Sequence, residues 1–332
     1  MTAPRQPTCV AQPSAAEPPA TATMPSTGAR LATRNSQLGT PLTGLLNIAK
    51  PSGLTSHDVV ARVRRITGQR SIGHAGTLDP LATGVLVLLL GKATVLASYV
   101  TSGEKVYEAG VTFGTATTTD DLEGEICREA PIPGPDIEEI ELAVHRFVGE
   151  IEQVPPRFSA IKQQGKRAYA EARQGREIEL PARRVTIRDI QIRSWQPPQL
   201  TLVITCGPGT YIRSLARDIG SALDSAAHLH ALVRLASGRF RLEDATKLDD
   251  LTEETVPAVL LPADMAVESL RSICLSVGET VDARHGREVS RQLVPVDAGE
   301  VIRLYGSEGR FLGLARPSGS GWHPFRVLDP AP

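Results

Sequence analysis

Six consecutive apolar residues, Val85 to Leu90, run without interruption between Gly84 and Gly91. This is far short of the roughly 20 residues a membrane span needs. Unbroken apolar character bounded by glycines fits a strand covered on both faces. A chain organised around such a strand must supply a packed layer on either side of it, and 332 residues are enough for that and for two folded units. Immediately before the run lies Arg70-Ser71-Ile72-Gly73-His74-Ala75-Gly76-Thr77-Leu78-Asp79-Pro80-Leu81-Ala82-Thr83-Gly84. Its glycines and proline predict an ordered loop rather than a helix or strand. Asp79 precedes Pro80, a position biased towards extended backbone, so its carboxylate is held clear of any helix.

Upstream, residues 1–41 are dominated by Ala, Pro, Thr and Ser without hydrophobic periodicity. They read as a disordered extension of bacterial type, lacking the apolar core of a secretory signal. Leu45 to Ile48 predicts a strand and Lys50-Pro51-Ser52-Gly53 a turn. A helix follows, capped by Thr55 or Ser56 with Asp58 placed as in a capping box. Val59, Val60, Val63 and Ile66 form its apolar face, and Gly68 stops it. Lys105 to Phe113 alternates, with Lys105, Tyr107, Ala109, Val111 and Phe113 on one face. Thr117 to Asp121 is a polar turn, and Ile137 to Val148 has helical spacing. A short helix through Arg173 follows Gly165 to Tyr169. Thr201 to Cys206 predicts a strand, Gly207 to Thr210 a turn, and Tyr211 the start of a helix. His228 to Phe240 carries Leu229, Leu232, Val233 and Leu235, then a Ser-Gly turn. Asp249 to Asp264 reads as a linking segment. From Ile273 the texture becomes short alternating strands, at Ile273 to Val277, Glu300 to Leu304, Phe311 to Arg316 and Phe325 to Leu328.

Several chemistries lack their motifs. The four cysteines, Cys9, Cys127, Cys206 and Cys274, show no C-x-x-C spacing, which fits a reducing, cytoplasmic setting. Gly91-Lys92-Ala93-Thr94 is not a phosphate loop, because Leu86 and Ala93 stand where Gly and Ser or Thr are required. Gly207-Pro208-Gly209 lacks the third glycine of a dinucleotide fingerprint. His228 and His230 have no partner at metal spacing. We expect no metal and no cofactor.

The net charge is −1, but it is segregated. Arg157 to Arg188 holds nine Lys or Arg against three Glu, while Asp120 to Glu141 holds nine acids against Arg128. Such segregation lets one face attract phosphates, although two solvated surfaces would look the same.

The loop pattern G-H-x-G-T-L-D-P-x-A-T-G resembles the active-site loop of the TruB family of tRNA pseudouridine-55 synthases. Five further blocks resemble that family in the same order. They are Lys50-Pro51-Ser52-Gly53 with Thr55-Ser56, Lys105-Val106-Tyr107, Pro155 to Tyr169, Gly209-Thr210-Tyr211-Ile212-Arg213, and Leu232-Val233-Arg234-Leu235. Together they span residues 44 to 240. The resemblance implies an α+β fold, with a mixed, largely antiparallel sheet and flanking helices. It implies a catalytic domain over residues 42–272 and, more loosely, a small β-rich PUA-like RNA-binding domain over 273–332. It also implies an isomerase that detaches the uracil of uridine 55 in the T loop of tRNA and rejoins it through C5, acting as a monomer on the tRNA T-loop stem-loop without membrane or small-molecule cofactor.

Carried over residue by residue, the resemblance makes Asp79 the catalytic carboxylate. An aspartate, with a reference pKa of about 3.9, is charged at neutral pH and suits a developing cation at C1′. Arg213 becomes the guanidinium that pairs with Asp79 and opposes its protonation. Tyr107 becomes the platform that stacks on the flipped base, with proton transfer as a second role, since a phenol is a poor base unless tuned. His74 becomes the wedge in the RNA, Tyr211 and Leu232 line the pocket, and Lys50 contacts substrate. The rival reading is a non-catalytic RNA-binding protein on the same scaffold. A pure binder has no use for a buried Asp79–Arg213 pair.

Overall fold

The computed structural model describes residues 41–134, 136–158, 180–290, 299–319 and 321–329, together with the backbone of Lys162–Gln163 and Lys166–Arg167. The chain opens with β1 (Gly44–Lys50) and the helix α1 (Ser56–Thr67). Thr55 caps α1 in a capping box, with Asp58 N donating to Thr55 Oγ1 at 3.1 Å and Thr55 N to Asp58 Oδ2 at 2.9 Å. Gly68 ends it at a φ of 66°, which a residue without Cβ adopts at no steric cost. Then come β2 (Ile72–His74), β3 (Thr83–Leu90), the short helix α2 (Ala97–Thr101) and β4 (Lys105–Phe113). The hairpin β5 (Thr115–Thr117) and β6 (Ile126–Glu129) leads to α3 (Ile137–His145) and β7 (Gly149–Gln153). After the two-residue strands β8 (Lys162–Gln163) and β9 (Lys166–Arg167) the chain runs through β10 (Arg183–Gln196), β11 (Gln199–Cys206), α4 (Ile212–Ala222) and β12 (Ala227–Ser237). β13 (Phe240–Arg241) and β14 (Thr246–Lys247) complete the large sheet.

That sheet has the order β14-β1-β3-β12-β4-β11-β10-β7, with β2 added to β3 and β13 to β12. Within this sheet, only the β1–β14 and β3–β12 strand pairings are parallel among the described residues. One face carries α1, α3 and α4: Leu86, Leu88 and Leu90 of β3 and Ala109, Val111 and Phe113 of β4 share a core with Val59, Val63, Ile140, Leu215 and Ile219. The other face of β3 meets the C-terminal unit. Val85, Val87 and Leu89 pack with Leu45, Phe240, Leu314 and Leu328. This double cover explains why Val85 to Leu90 has no polar alternation, each residue being fully buried. Truncating one of these leucines to Ala costs about 2–5 kcal/mol.

The C-terminal β domain is a four-stranded sheet of β15 (Ser272–Cys274), β16 (Ile302–Tyr305), β17 (Phe311–Ser318) and β18 (Gly321–Val327). It also contains the helix α5 (Val277–Arg284).

Several expectations shift at their edges. The strand expected to reach Val277 stops at Cys274, because Ser276 and Glu279 form a capping box that starts α5. The Arg70–Gly84 loop is not wholly irregular: Ile72 to His74 pairs with Leu88 to Leu90, and Thr83 and Gly84 already belong to β3. The helix expected to reach Val148 ends at His145. The helix expected through Arg173 lies outside the described residues. β10, the longest strand at 14 residues, carries apolar residues only where it faces α3 and the sheet core, and is exposed elsewhere. No helix is long and apolar enough to cross a membrane among the described residues.

Candidate active site

A cavity of about 260 Å³ opens where the Gly76–Asp79 loop, the start of β4, the Gly207–Arg213 turn and the middle of β12 converge. It is smaller than the roughly 300–1,000 Å³ of drug-sized sites, the scale of a single base rather than a folded element. Asp79, Tyr107, Tyr211, Arg213 and Leu232 all line it. His74 and Lys50 are not among its lining residues.

Asp79 sits on a loop tied down at several points. Ser56, fully buried at the first turn of α1, takes Leu78 N at 2.8 Å and donates to Leu78 O at 3.1 Å. Gly53 N donates to Pro80 O at 2.8 Å, and Ala82 N to Asp79 O at 3.1 Å. Lys50, only 1% exposed, donates its ammonium to the carbonyls of Pro51, Leu54 and Pro80 at 2.9, 2.6 and 3.3 Å. Burial lowers its pKa to about 8, against the attraction of Asp79. The Lys50-to-Ser56 block therefore clamps the segment around Asp79, and the Lys50 ammonium is directed at carbonyls rather than into the cavity.

Arg213 comes from the first turn of α4, whose N-terminus is fixed by Gln153. That buried side chain accepts from Tyr211 N at 2.8 Å and donates to Tyr211 O at 3.1 Å. The Arg213 guanidinium grips Asp79 from two nitrogens: Nη2 donates to Oδ1 at 3.2 Å, and Nε lies 2.9 Å from Oδ2 as an ion pair without hydrogen-bond alignment. Its remaining donors reach Thr119 O at 3.0 Å, Phe158 O at 3.1 Å and Asp121 Oδ2 at 3.4 Å. Asp121 is itself held by Thr119 Oγ1 and by Glu123 N. One helical turn on, Arg217 pairs with Asp120 at 2.8 Å. Burial pushes the Asp120 carboxyl up, and Arg217 pulls it back down. The polar turn of Thr117 to Asp121 is thus the second anchor of the arginine.

Tyr107 is buried on the face of β4 that its alternation places towards the cavity. Register puts Arg234 of β12 directly opposite it, and Leu232 opposite Ala109. Arg234, 1% exposed, donates to the carbonyls of Val85, Thr77 and Gly76 at 2.6, 3.3 and 3.1 Å, and its positive charge acts on the Tyr107 phenol. It joins the loop to β3 across from the tyrosine. The contact requires glycine at position 84, where a Cβ would lie 2.3 Å from Arg234 O at a φ of +101°. Burial pushes the Tyr107 phenol up, with Arg234 opposing, so the ring is protonated at neutral pH.

His74 is half-buried at the end of β2, edge-on to His57 with ring centroids 5.5 Å apart. Its Nδ1 has no hydrogen-bond partner among the described residues, and burial lowers its pKa, with His57 and Arg234 adding to the shift. The other histidine pair, His228 and His230, turns its Nδ1 atoms to Thr115 and Thr112.

Sequence reasoning missed Asp121, Gln153 and Arg234. Arg234 stood inside a quoted block, and its strand register with Tyr107 was the absent information. Asp121 and Gln153 left only an acidic turn and a strand end as signals, and neither spacing points to Asp79.

The fold is that of known pseudouridine synthases. The archaeal box H/ACA Nop10–Cbf5 complex contains a chain that matches at a TM-score of 0.66 and 25% identity, covering 87% of this chain and 86% of that one. An H/ACA RNP bound to a substrate RNA containing 2′-deoxyuridine matches at 0.65 and 23%, which shows the fold alone. The family model for the N-terminal domain of TruB family pseudouridylate synthases matches residues 64–212, and that for the tRNA pseudouridylate synthase B C-terminal domain matches 213–268. The chain belongs to the TruB family of pseudouridylate synthases. Curated relatives named tRNA pseudouridine synthase B include those of Trichormus variabilis, 41% identical over 295 residues, and Thermobifida fusca, 43% identical over 293. These alignments cover 87% and 86% of this chain and 99% and 98% of the relatives.

Proposed function

We propose that this chain isomerises uridine 55 in the T loop of tRNA to pseudouridine, acting as a cytoplasmic monomer with Asp79 as the nucleophile. The observation that carries the reading is the Asp79 carboxylate, a third exposed to a base-sized cavity while gripped from behind by an almost fully buried Arg213. A binding protein gains nothing from an ion pair placed this way, whereas a nucleophile gains both charge and aim. Tyr107 supplies the face on which the flipped base stacks, and Tyr211 and Leu232 close the sides. His74, outside the cavity, suits the wedge that fills the space the base vacates. Lys50 acts on Asp79 through the loop rather than by touching substrate. Residues 42–272 form the catalytic domain, and 273–332 add an RNA-contacting surface.

The test is Asp79→Asn, which hardly alters volume. Purified wild-type protein should form pseudouridine in a T-loop hairpin with chelator present. The variant should form none while binding the hairpin within a few-fold of wild type. Wild-type-like turnover by the variant would remove Asp79 from the chemistry.

A further inference from the structure

Three cations, Lys105, Arg213 and Arg234, line the cavity, and Asp79 is the single carboxylate among its described lining residues. Arg213 is balanced by Asp79 and, behind it, by Asp121. Lys105 and Arg234 have no carboxylate within ion-pair distance among the described residues. Arg234 directs its guanidinium to backbone carbonyls. Lys105 is 6% exposed and donates to the carbonyls of Thr101 and Gly103, leaving its third N–H without an acceptor among the described residues. Register flanks it with Cys206 on β11 and Ser237 on β12, both neutral groups, since burial pushes the Cys206 thiol up to about 11. A buried cation without a counter-charge is costly to fold. It becomes favourable when negative charge develops within its reach in a site from which water is excluded.

Along β4, Lys105 shares a face with Tyr107 and lies about 7 Å from it, two residues at about 3.4 Å each. A base stacked on Tyr107 with its sugar at Asp79 therefore has the Lys105 end of the cavity within reach of its ring edge. We propose that Lys105 is a further catalytic residue, donating its free N–H to a carbonyl oxygen of the uracil as it leaves C1′. This rests on the pseudouridylation reading above. When the C1′–N1 bond breaks, its electron pair goes to N1 and spreads to O2 and, through C6 and C5, to O4. The pair then returns from C5 to C1′ to form the new bond. C5 loses its proton and N1 gains one, so no other reactant is consumed. Lys105 keeps its own proton throughout and supplies charge and a hydrogen bond only while the base is an anion.

Geometry carries this role, and the Lys105 ionisation supports it: burial, aided by Arg234, lowers its pKa to about 8, with Cys206 acting the other way. The ammonium should therefore be lost, and the rate with it, as pH rises through about 8. The experiment is a single-turnover pH profile from 6.5 to 9.5 on a T-loop hairpin, with hairpin affinity measured at each pH. It compares wild type, Lys105→Met and Lys105→Arg. Wild type should lose rate above about pH 8 at unchanged affinity. Lys105→Met should react about 10²–10³-fold more slowly, the loss seen when one oxyanion donor is removed. Lys105→Arg should retain part of the rate and lose the alkaline fall. A fall that persists in Lys105→Arg belongs to another group, Lys50 being the first candidate since it too is lowered to about 8, and overturns the proposal. So does Lys105→Met turning over within a few-fold of wild type. Should Lys105→Met not fold, the other two profiles decide. If wild type forms no pseudouridine at any pH, the functional reading fails rather than the role of Lys105.

Discussion

Replacing Arg213 by Met separates what the ion-pair cluster does for stability from what it does for catalysis. The guanidinium touches Asp79, Asp121 and two backbone carbonyls, and Asp121 is only 4% exposed at its side chain. Methionine fills most of the volume but strands that carboxylate. Removing one partner of a buried pair costs about 3–5 kcal/mol. Asp121 keeps Thr119 Oγ1 and Glu123 N as partners, and Asp79 can turn to solvent, so the lower end, about 3 kcal/mol, is expected. Urea unfolding of the full chain reads this as a lowered midpoint at unchanged slope. Adding Asp121→Asn should then recover about 1–2 kcal/mol, because the stranded charge is gone and contacting sites couple by about 0.5–3 kcal/mol. Pseudouridine formation should not recover, since Asp79 still lacks the guanidinium that aims it. A loss below about 0.5 kcal/mol for Arg213→Met would refute the buried-pair argument. Turnover restored in the double variant would show that Arg213 acts on stability alone.

Three further outcomes follow from the geometry. Tyr107→Phe keeps the stacking face and should bind the hairpin normally with clearly slower turnover, whereas Tyr107→Leu should lose about 1–3 kcal/mol of base stacking as well; two wild-type-like variants would make Tyr107 a core residue only. Gly84→Ala forces a Cβ into Arg234 O at a positive φ and should cost about 2–6 kcal/mol in urea unfolding, from strain and overpacking together; a cost under about 1 kcal/mol would contradict the close approach. Lys50 and Lys105 are lowered to about 8 from an ordinary 10.5, so between those values the unfolded chain binds more protons and these two groups add stability as pH rises. Stability measured from pH 7.5 to 9 should therefore climb less steeply in Lys50→Met than in wild type, and identical slopes would refute the buried ammonium.

Much of the architecture was legible from local pattern. The capping box of Thr55 and Asp58, the stop at Gly68 and the alternation of Lys105 to Phe113 are local signals, set by neighbours within a few residues, and the structure keeps each of them. The doubly covered run Val85 to Leu90 likewise announced a layer on both sides, though not which elements supply the layers. Element ends were less legible: Ile273 to Val277 looked like one strand until the Ser276 box turned its end into a helix. The β10 strand was unreadable because only one face of its long edge is apolar, and polar residues crowd the other.

For the site, the sequence by itself, through its resemblance to the family, supplied the candidate side chains: an aspartate held before Pro80, a tyrosine on an alternating strand and an arginine at a helix start. Only the tertiary structure decided their company. The pairing of β12 with β4 sets Arg234 across from Tyr107, and the fold brings Asp121 to Arg213 across 92 positions of chain. It also directs the Lys50 ammonium to the carbonyls of Pro51, Leu54 and Pro80, and leaves Lys105 as a buried cation without a counter-charge among the described residues. Local pattern encodes backbone geometry within a turn or a strand. Which buried charge meets which partner depends on register between distant strands, and no spacing along the chain records that.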